Sequence, residues 1–403
     1  MKSKLFNYFH DLDEKDMSKM KKRMDILECL TLKPSFPSYS GKNNLLVLKN
    51  GVIDPVKVKK NEFSKEYYAT GFSDFEYDAH AQCPEWHKFL NSIFQNDDDA
   101  NERNDDDVDK LKLLLQQLMF ISLTNLKGFE TMVMLSGAGA NGKSIILGVL
   151  QQLVGHHNVS MVRLGELKRK FNLANLKDKL VNIEYDANYT SMNEGVLKSL
   201  ISNERVEVEI KYRDTCAFEP VATFWLAANE LPKVTNNSLA FYRRLTILEF
   251  KKSFSTDEQD RQLLDKLNKE LSGILNWVLS VPKDFLESKK LSIPESCKKS
   301  VEKYELDNNF VKLFKENCLT ETDKSKKYLE RFYVYALYEK FCKDRNFPIL
   351  NNARFGRELK ALGVETHKGK FKRFYKIALK VLPRFTFYKI SEPFKFGVLT
   401  FCE

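Results

Sequence analysis

The chain has 403 residues, of which 43% are hydrophobic, 30% charged and 12% aromatic; that is material for a large core, and it excludes wholesale disorder and the collagen-like, Gly-rich and Pro-rich classes. Length predicts two or three domains, since single cores stop growing at roughly 250–300 residues. The 65 Lys and Arg against 55 Asp and Glu leave a net charge of +10, which favours polyanionic partners without identifying one.

Residues 15–32 predict an amphipathic helix, 45–48 a strand entering a turn at Asn50-Gly51, and 84–94 a second helix. Between 97 and 109 eight acids face a single Arg103, and their repulsion predicts a solvated loop or linker; a D-x-D metal site is the sharper alternative, but no apolar strand precedes it. A helical pattern follows at 111–123, then an apolar strand at 130–136. Further strands at 180–184, 222–228 and 245–250 alternate with helices at 143–154 and 193–201, and 256–279 reads as one long helix. Such alternation implies a largely parallel sheet with helices on its faces, an α/β fold.

Gly137-Ala138-Gly139-Ala140-Asn141-Gly142-Lys143-Ser144 satisfies G-x-x-x-x-G-K-[ST] between an apolar strand and an apolar helix. Small residues let successive N–H groups turn toward nucleotide phosphates, Lys143 can reach the β- and γ-phosphates, and Ser144 can ligate magnesium. The run also fits G-x-G-x-x-G through Gly137, Gly139 and Gly142. Lys143, however, stands where a dinucleotide fingerprint wants a small or apolar residue, so the phosphate loop is the better reading.

Hydrolysis needs carboxylates, and the strand Leu180-Val181-Asn182-Ile183-Glu184-Tyr185-Asp186 ends in Glu184 and Asp186, candidates to hold Mg2+ and polarise water. The strand ending Ala227-Ala228-Asn229-Glu230-Leu231-Pro232 presents Asn229 as an amide that could orient water or sense the γ-phosphate; an ordinary capping amide is the alternative. Val206, Val208 and Ile210 alternate with acids, predicting a hairpin with Lys211 and Arg213 at its tip, either a nucleic-acid contact or an ordinary surface turn. Arg243 and Arg244 precede another apolar strand. One of them could complete a neighbouring subunit's site, and a structural ion pair is the alternative for the other.

Seven cysteines without C-x-x-C and six histidines without H-E-x-x-H argue against a disulfide framework or a zinc site. With no signal-like h-region and no run of about 20 apolar residues, a soluble, cytoplasmic location without a membrane partner is expected.

The ordered set G-A-G-A-N-G-K-S, L-V-N-I-E-Y-D, a basic hairpin, L-A-A-N-E-L-P and Y-R-R-L-T-I-L-E-F resembles the superfamily 3 helicases, and most of all the helicase half of poxvirus-type and phage or plasmid primase-helicases. Leu48-Lys49-Asn50-Gly51-Val52-Ile53-Asp54 and Cys83-Pro84-Glu85-Trp86 are similar to the small, mostly helical domain that precedes the ATPase in that family. Residues 310–374 are similar to its winged-helix tail. The resemblance implies a small domain at 1–95, an acidic linker at 96–110, an AAA+ type ATPase core at 111–280 and a basic, winged-helix-like domain at 281–403.

It further implies a ring, usually a hexamer, with ATP and Mg2+ between subunits. Lys143 and Ser144 would serve phosphates and metal, Glu184 and Asp186 would form the acidic pair, Asn229 would be the sensor, and Arg243 or Arg244 the finger acting in trans. Lys198 and Lys211 would belong to the segment coupling ATP state to the DNA-gripping hairpin. The expected activity is an ATP-driven helicase or translocase on single-stranded or forked DNA, serving a virus, phage or mobile element. The alternative is a DNA-binding ATPase acting as initiator, loader or packaging motor. The chain departs from the family at Ser202-Asn203-Glu204, where a Gly-Asp step is common. The residues before the acidic stretch are also too few to hold both a primase and the helical domain, so the chain is expected to be the helicase module alone, which a separate primase or origin-binding protein could join.

Finally, the stretch 341–403 holds 14 Lys and Arg against 5 Asp and Glu. Within it Lys368-Gly369-Lys370-Phe371-Lys372-Arg373-Phe374-Tyr375-Lys376 interleaves cations with aromatics, so Lys370, Lys372 and Arg373 are expected to contact DNA phosphates, with a solvated β-ribbon as the plain alternative.

Overall fold

A computed structural model describes residues 45–64, 67, 72–95, 105–187, 191–209, 215–234, 239–321, 329–345, 347–368, 373–375 and 377–379. The helix expected at 15–32 lies outside these residues. Two compact units divide the chain: 1–236 with 243–298, and 237–242 with 299–403.

The first unit opens with a three-stranded antiparallel meander, β1 (Leu46–Leu48), β2 (Gly51–Asp54) and β3 (Lys59–Asn61), followed by helix α1 (Pro84–Phe94). These residues do not stand apart as a separate domain. Trp86, Phe89, Leu90, Ile93 and Phe94 of α1 are buried in one core with the helices and strands that follow, because an eleven-residue helix with an apolar stripe has no other surface to cover it.

Helix α2 runs Asp105–Leu123, which corrects the expected linker: its last acids, Asp105, Asp106, Asp107 and Asp109, form the first turns of a helix. Negative charge there complements the exposed N–H groups of the helix end, and Lys110 and Lys112 pair with Asp106 and Asp109 at 2.5 and 2.9 Å.

Strand β4 (Met132–Ser136) leads into α3 (Lys143–Val154), followed by β5 (Val159–Ser160), the short helix α4 (Lys170–Leu173) and β6 (Val181–Glu184). Then come β7 (Ser191–Met192), α5 (Glu194–Ile201), the hairpin β8 (Val206–Val208) and β9 (Cys216–Phe218), β10 (Thr223–Ala228), β11 (Lys233–Val234), α6 (Leu239–Tyr242, part of the second unit) and β12 (Leu245–Glu249).

Five of these strands form one all-parallel sheet in the order β12-β4-β10-β6-β5. Side chains alternate across it as a period of two demands. Val133, Leu135, Trp225 and Ala227 enter the core shared with α2 and α3, and Met132, Met134, Phe224 and Leu226 are buried on the other face.

Residues 256–279 are not one helix but α7 (Leu263–Lys269) and α8 (Leu271–Leu279). The break falls at Glu270, whose carboxylate accepts the Glu85 and Trp86 N–H groups at 3.2 and 3.1 Å and so caps α1. Helix α9 (Lys283–Ser288) and the start of α10 (Glu295–Asn308) also belong to this unit, since Phe285 and Cys297 are buried in its core; the expected boundary at 280 therefore moves to 298.

The second unit holds α11 (Phe310–Cys318), β13 (Leu319–Glu321), β14 (Leu329–Glu330), α12 (Arg331–Lys343), α13 (Asn352–Ala361), and strands β15 (Thr366–Lys368), β16 (Arg373–Tyr375) and β17 (Ile377–Leu379). Two consecutive helices followed by the antiparallel pair β15-β16, with β14 on its other side, is a winged-helix order. Its core is aromatic: Tyr338 stacks on Phe355 at 4.4 Å and meets Phe314 edge-on at 5.6 Å. Among the described residues no helix is long and apolar enough to cross a membrane.

Candidate nucleotide site

The phosphate loop spans the gap between β4 and α3. Gly142 precedes the helix in the left-handed region (φ +87) and supplies no capping side chain, so the first N–H groups of α3 are left to a ligand. A Cβ at Gly142 would stand 2.9 Å from Ile93 and 3.1 Å from Phe89, because α1 is wedged beneath the loop. Gly142→Ala is therefore expected to cost about 2–4 kcal/mol, combining the left-handed penalty with overpacking, and to lower the thermal unfolding midpoint. Gly137 is also sterically held: a Cβ there would collide with the Phe250 carbonyl and the Asn141 amide. Around Gly139, by contrast, there is open space.

Lys143 is buried, and its Nζ donates to Gly137 O (2.6 Å), Ala138 O (3.0 Å), Asn141 Oδ1 (3.0 Å) and Asn229 Oδ1 (3.3 Å). Burial pushes its ammonium below the ordinary lysine range, while the Asp186 charge acts in the opposite direction. Asn229 follows β10, which lies between β4 and β6; Ala228 registers with Ser136 and Leu226 with Glu184. This strand order brings the loop, the amide and the acids to the carboxyl ends of three neighbouring strands.

Glu184, at the tip of β6, is only 6% exposed and accepts the Leu164 N–H on Oε2 at 2.9 Å. Asp186, two residues on, is exposed, as is Ser144 in the first turn of α3. Tyr185 between the acids donates to Gln151 Oε1 at 2.6 Å, which ties the end of β6 to α3.

These residues fit a nucleoside polyphosphate with Mg2+. The Asn141 Nδ2, buried within the loop, has no hydrogen-bond partner among the described residues, which leaves a donor for a phosphate oxygen. Glu184 and Asp186 make a pair rather than a cage, the donor set Mg2+ takes when phosphate oxygens and water complete its shell.

The arginines stand at the amino ends of the strands, before β12. Leu245 registers with Met132 and Glu249 with Ser136, so Arg243 and Arg244 lie about 20 Å from the phosphate loop at roughly 3.3 Å per residue. The two differ in surroundings. Arg244 pairs with Glu130 at 2.8 Å and donates to Ser202 Oγ at 3.1 Å, with only 10% of its side chain exposed, whereas Arg243 is exposed.

Lys198, on α5, is half-buried and 3.9 Å from Glu194. The base of the predicted hairpin is present as β8 and β9, with Val206 opposite Phe218 and Val208 opposite Cys216; its tip, Lys211 and Arg213, lies outside the described residues. So do Lys370 and Lys372. Arg373 is in β16, in register with Lys368 of β15. The wedge of Phe89 and Ile93 under Gly142 and the hold of Leu164 on Glu184 have no local sequence signature, since both are contacts between distant segments.

Three family models match the chain: "D5 N terminal like" over residues 11–95, "Family of unknown function (DUF5906)" over 135–244, and "Poxvirus D5 protein-like" over 306–391. A protein of Acanthamoeba polyphaga mimivirus named "Putative helicase" is 27% identical over 145 residues, which are 34% of this chain and 15% of that relative's length. The match thus spans less than a sixth of that relative's length. Two solved structures of the apo NrS-1 C terminal region are similar, one at 13% identity and TM-score 0.48 over 90% of this chain and 91% of that one. The other stands at 14% identity and TM-score 0.46 over 77% and 80%.

Proposed function

From the premise that the D5-type matches support, a superfamily 3 helicase module with a replication role in a virus or phage, we propose that this chain is an ATP-driven motor that forms a ring and moves along or unwinds DNA. The observation that carries the reading is the contact of Lys143, which follows β4 and the phosphate loop, with Asn229 at the end of β10, beside the strand β6 that ends in Glu184.

In this reading the loop N–H groups and the Lys143 ammonium bind the β- and γ-phosphates. Mg2+, held by Ser144 with Glu184 and Asp186, would neutralise phosphate oxygens. Asn229 orients a water molecule and Glu184 takes its proton as the oxygen attacks the γ-phosphorus; the bond to the β–γ bridging oxygen breaks and ADP leaves. The exposed Arg243, too far from its own chain's loop, acts on the neighbouring subunit's phosphates. The hairpin of β8 and β9 and the basic second unit supply DNA contacts.

Two measurements test the reading: ATP turnover with and without single-stranded DNA, and strand displacement on a forked duplex. Stimulated turnover with displacement supports the helicase. Stimulated turnover without displacement supports a loader or packaging motor, and no turnover at all removes the motor assignment.

A further inference from the structure

The chain between β5 and β6 has a feature that nucleotide binding does not require. From 163 to 179 six basic residues face only Glu166 and Asp178. Here the surface opens into a cleft of about 640 Å3, and its charged and amide lining is Arg163, Glu166, Asn172, Asn175, Lys177 and Lys179. The one carboxylate is engaged, with Glu166 Oε2 accepting from Asn172 Nδ2 at 3.3 Å. Lys179 is anchored to His157 O at 2.6 Å, a bond that uses one of its three protons.

Met161, part of the lining, is 55% exposed, and Phe171 of α4, the chain neighbour of the lining residue Asn172, is 47% exposed. Cations beside exposed apolar side chains suit a ligand with alternating phosphates and flat bases. The neighbourhood matches as well. Lys170 of α4 lies 3.8 Å from Glu209, which directly follows β8, and Leu164, next to Arg163, is the residue whose N–H holds Glu184.

We propose that this cleft binds the phosphate backbone of single-stranded nucleic acid through Arg163, Lys177 and Lys179, with Met161 and Phe171 against bases, and reports its occupancy to Glu184 through the Arg163–Leu164 step. The proposal rests on the motor reading above and adds a second contact beside the hairpin, one that adjoins the catalytic carboxylate.

The test titrates a labelled oligodeoxythymidylate against the full chain over a range of salt. Each phosphate contact with a single strand contributes about 0.7 to the slope of log K against log salt, so Arg163→Gln, Lys177→Gln and Lys179→Gln together lower that slope by about 2. The same charge loss placed on Lys269, Lys283 and Lys290, exposed lysines outside the cleft, leaves the slope unchanged. The triple cleft variant also loses stimulation of ATP turnover by the oligonucleotide.

Binding of a fluorescent ATP analogue is followed in parallel. An unaltered chain that binds no nucleotide fails the motor reading, whereas normal nucleotide binding with an unchanged salt slope in the triple variant overturns the cleft alone. Inorganic phosphate is the remaining arm: if it binds the cleft as tightly as the oligonucleotide does, the site is a small-anion site and the nucleic-acid assignment falls.

Discussion

Glu184→Gln is expected to leave ATP bound and to slow its hydrolysis about 10²–10⁴-fold, the range for removal of a positioned base. The amide has the shape of the carboxylate and can still accept the Leu164 N–H, so the buried tip of β6 keeps its packing. What it would lack, in the proposed mechanism, is the charge to hold Mg2+ and the basicity to take a proton from water. Lys143→Ala fails by a different route. The ammonium that gathers Gly137 O, Ala138 O, Asn141 Oδ1 and Asn229 Oδ1 is gone, so nucleotide affinity and turnover fall together. Binding of a fluorescent ATP analogue and single-turnover phosphate release separate the two. A Lys143→Ala chain that unwinds a fork at the unaltered rate would sink the site assignment.

The parts of this site that sequence makes legible are those that depend on neighbours in the chain. A glycine-rich turn between an apolar strand and an apolar helix is a local pattern, and so is a strand that ends in Glu184 and Asp186. The meeting of Asn229 with Lys143 is not local. It follows from the insertion of β10 between β4 and β6, and chain order does not reveal spatial order in a parallel sheet. Charge patterns mislead for the same reason. The acids at 105–109 repel one another as a string, but on a helix they face an N-terminal dipole and pair with lysines three and four residues on. The helix expected to run unbroken from 256 to 279 divides at Glu270 because that side chain caps a helix 185 residues earlier in the chain. The family resemblance named both arginines as candidates for one role, and only their surroundings distinguish them.

That distinction gives the sharpest prediction. An arginine that stabilises transferring phosphate contributes about 10³–10⁵ in rate, so Arg243→Ala should lower turnover by that factor while nucleotide binding persists. Arg244→Ala should behave differently. Its guanidinium is committed to Glu130 and Ser202 within its own chain, and Glu130 is half-exposed, so solvent screens the pair; the loss is about 1 kcal/mol of stability. Both arginines lie at the amino ends of the strands, remote from their own phosphate loop, so a catalytic effect of Arg243 would have to cross a subunit boundary. Mixing then becomes decisive. Arg243→Ala subunits keep an intact loop and Lys143→Ala subunits keep an intact arginine, and in the proposed ring some mixed interfaces would bring the two intact halves together. Turnover should rise above that of either variant alone and peak at intermediate ratios. Mixtures that stay inactive at every ratio would mean that no site is shared between subunits, and Arg243 would then be left with no phosphate within reach.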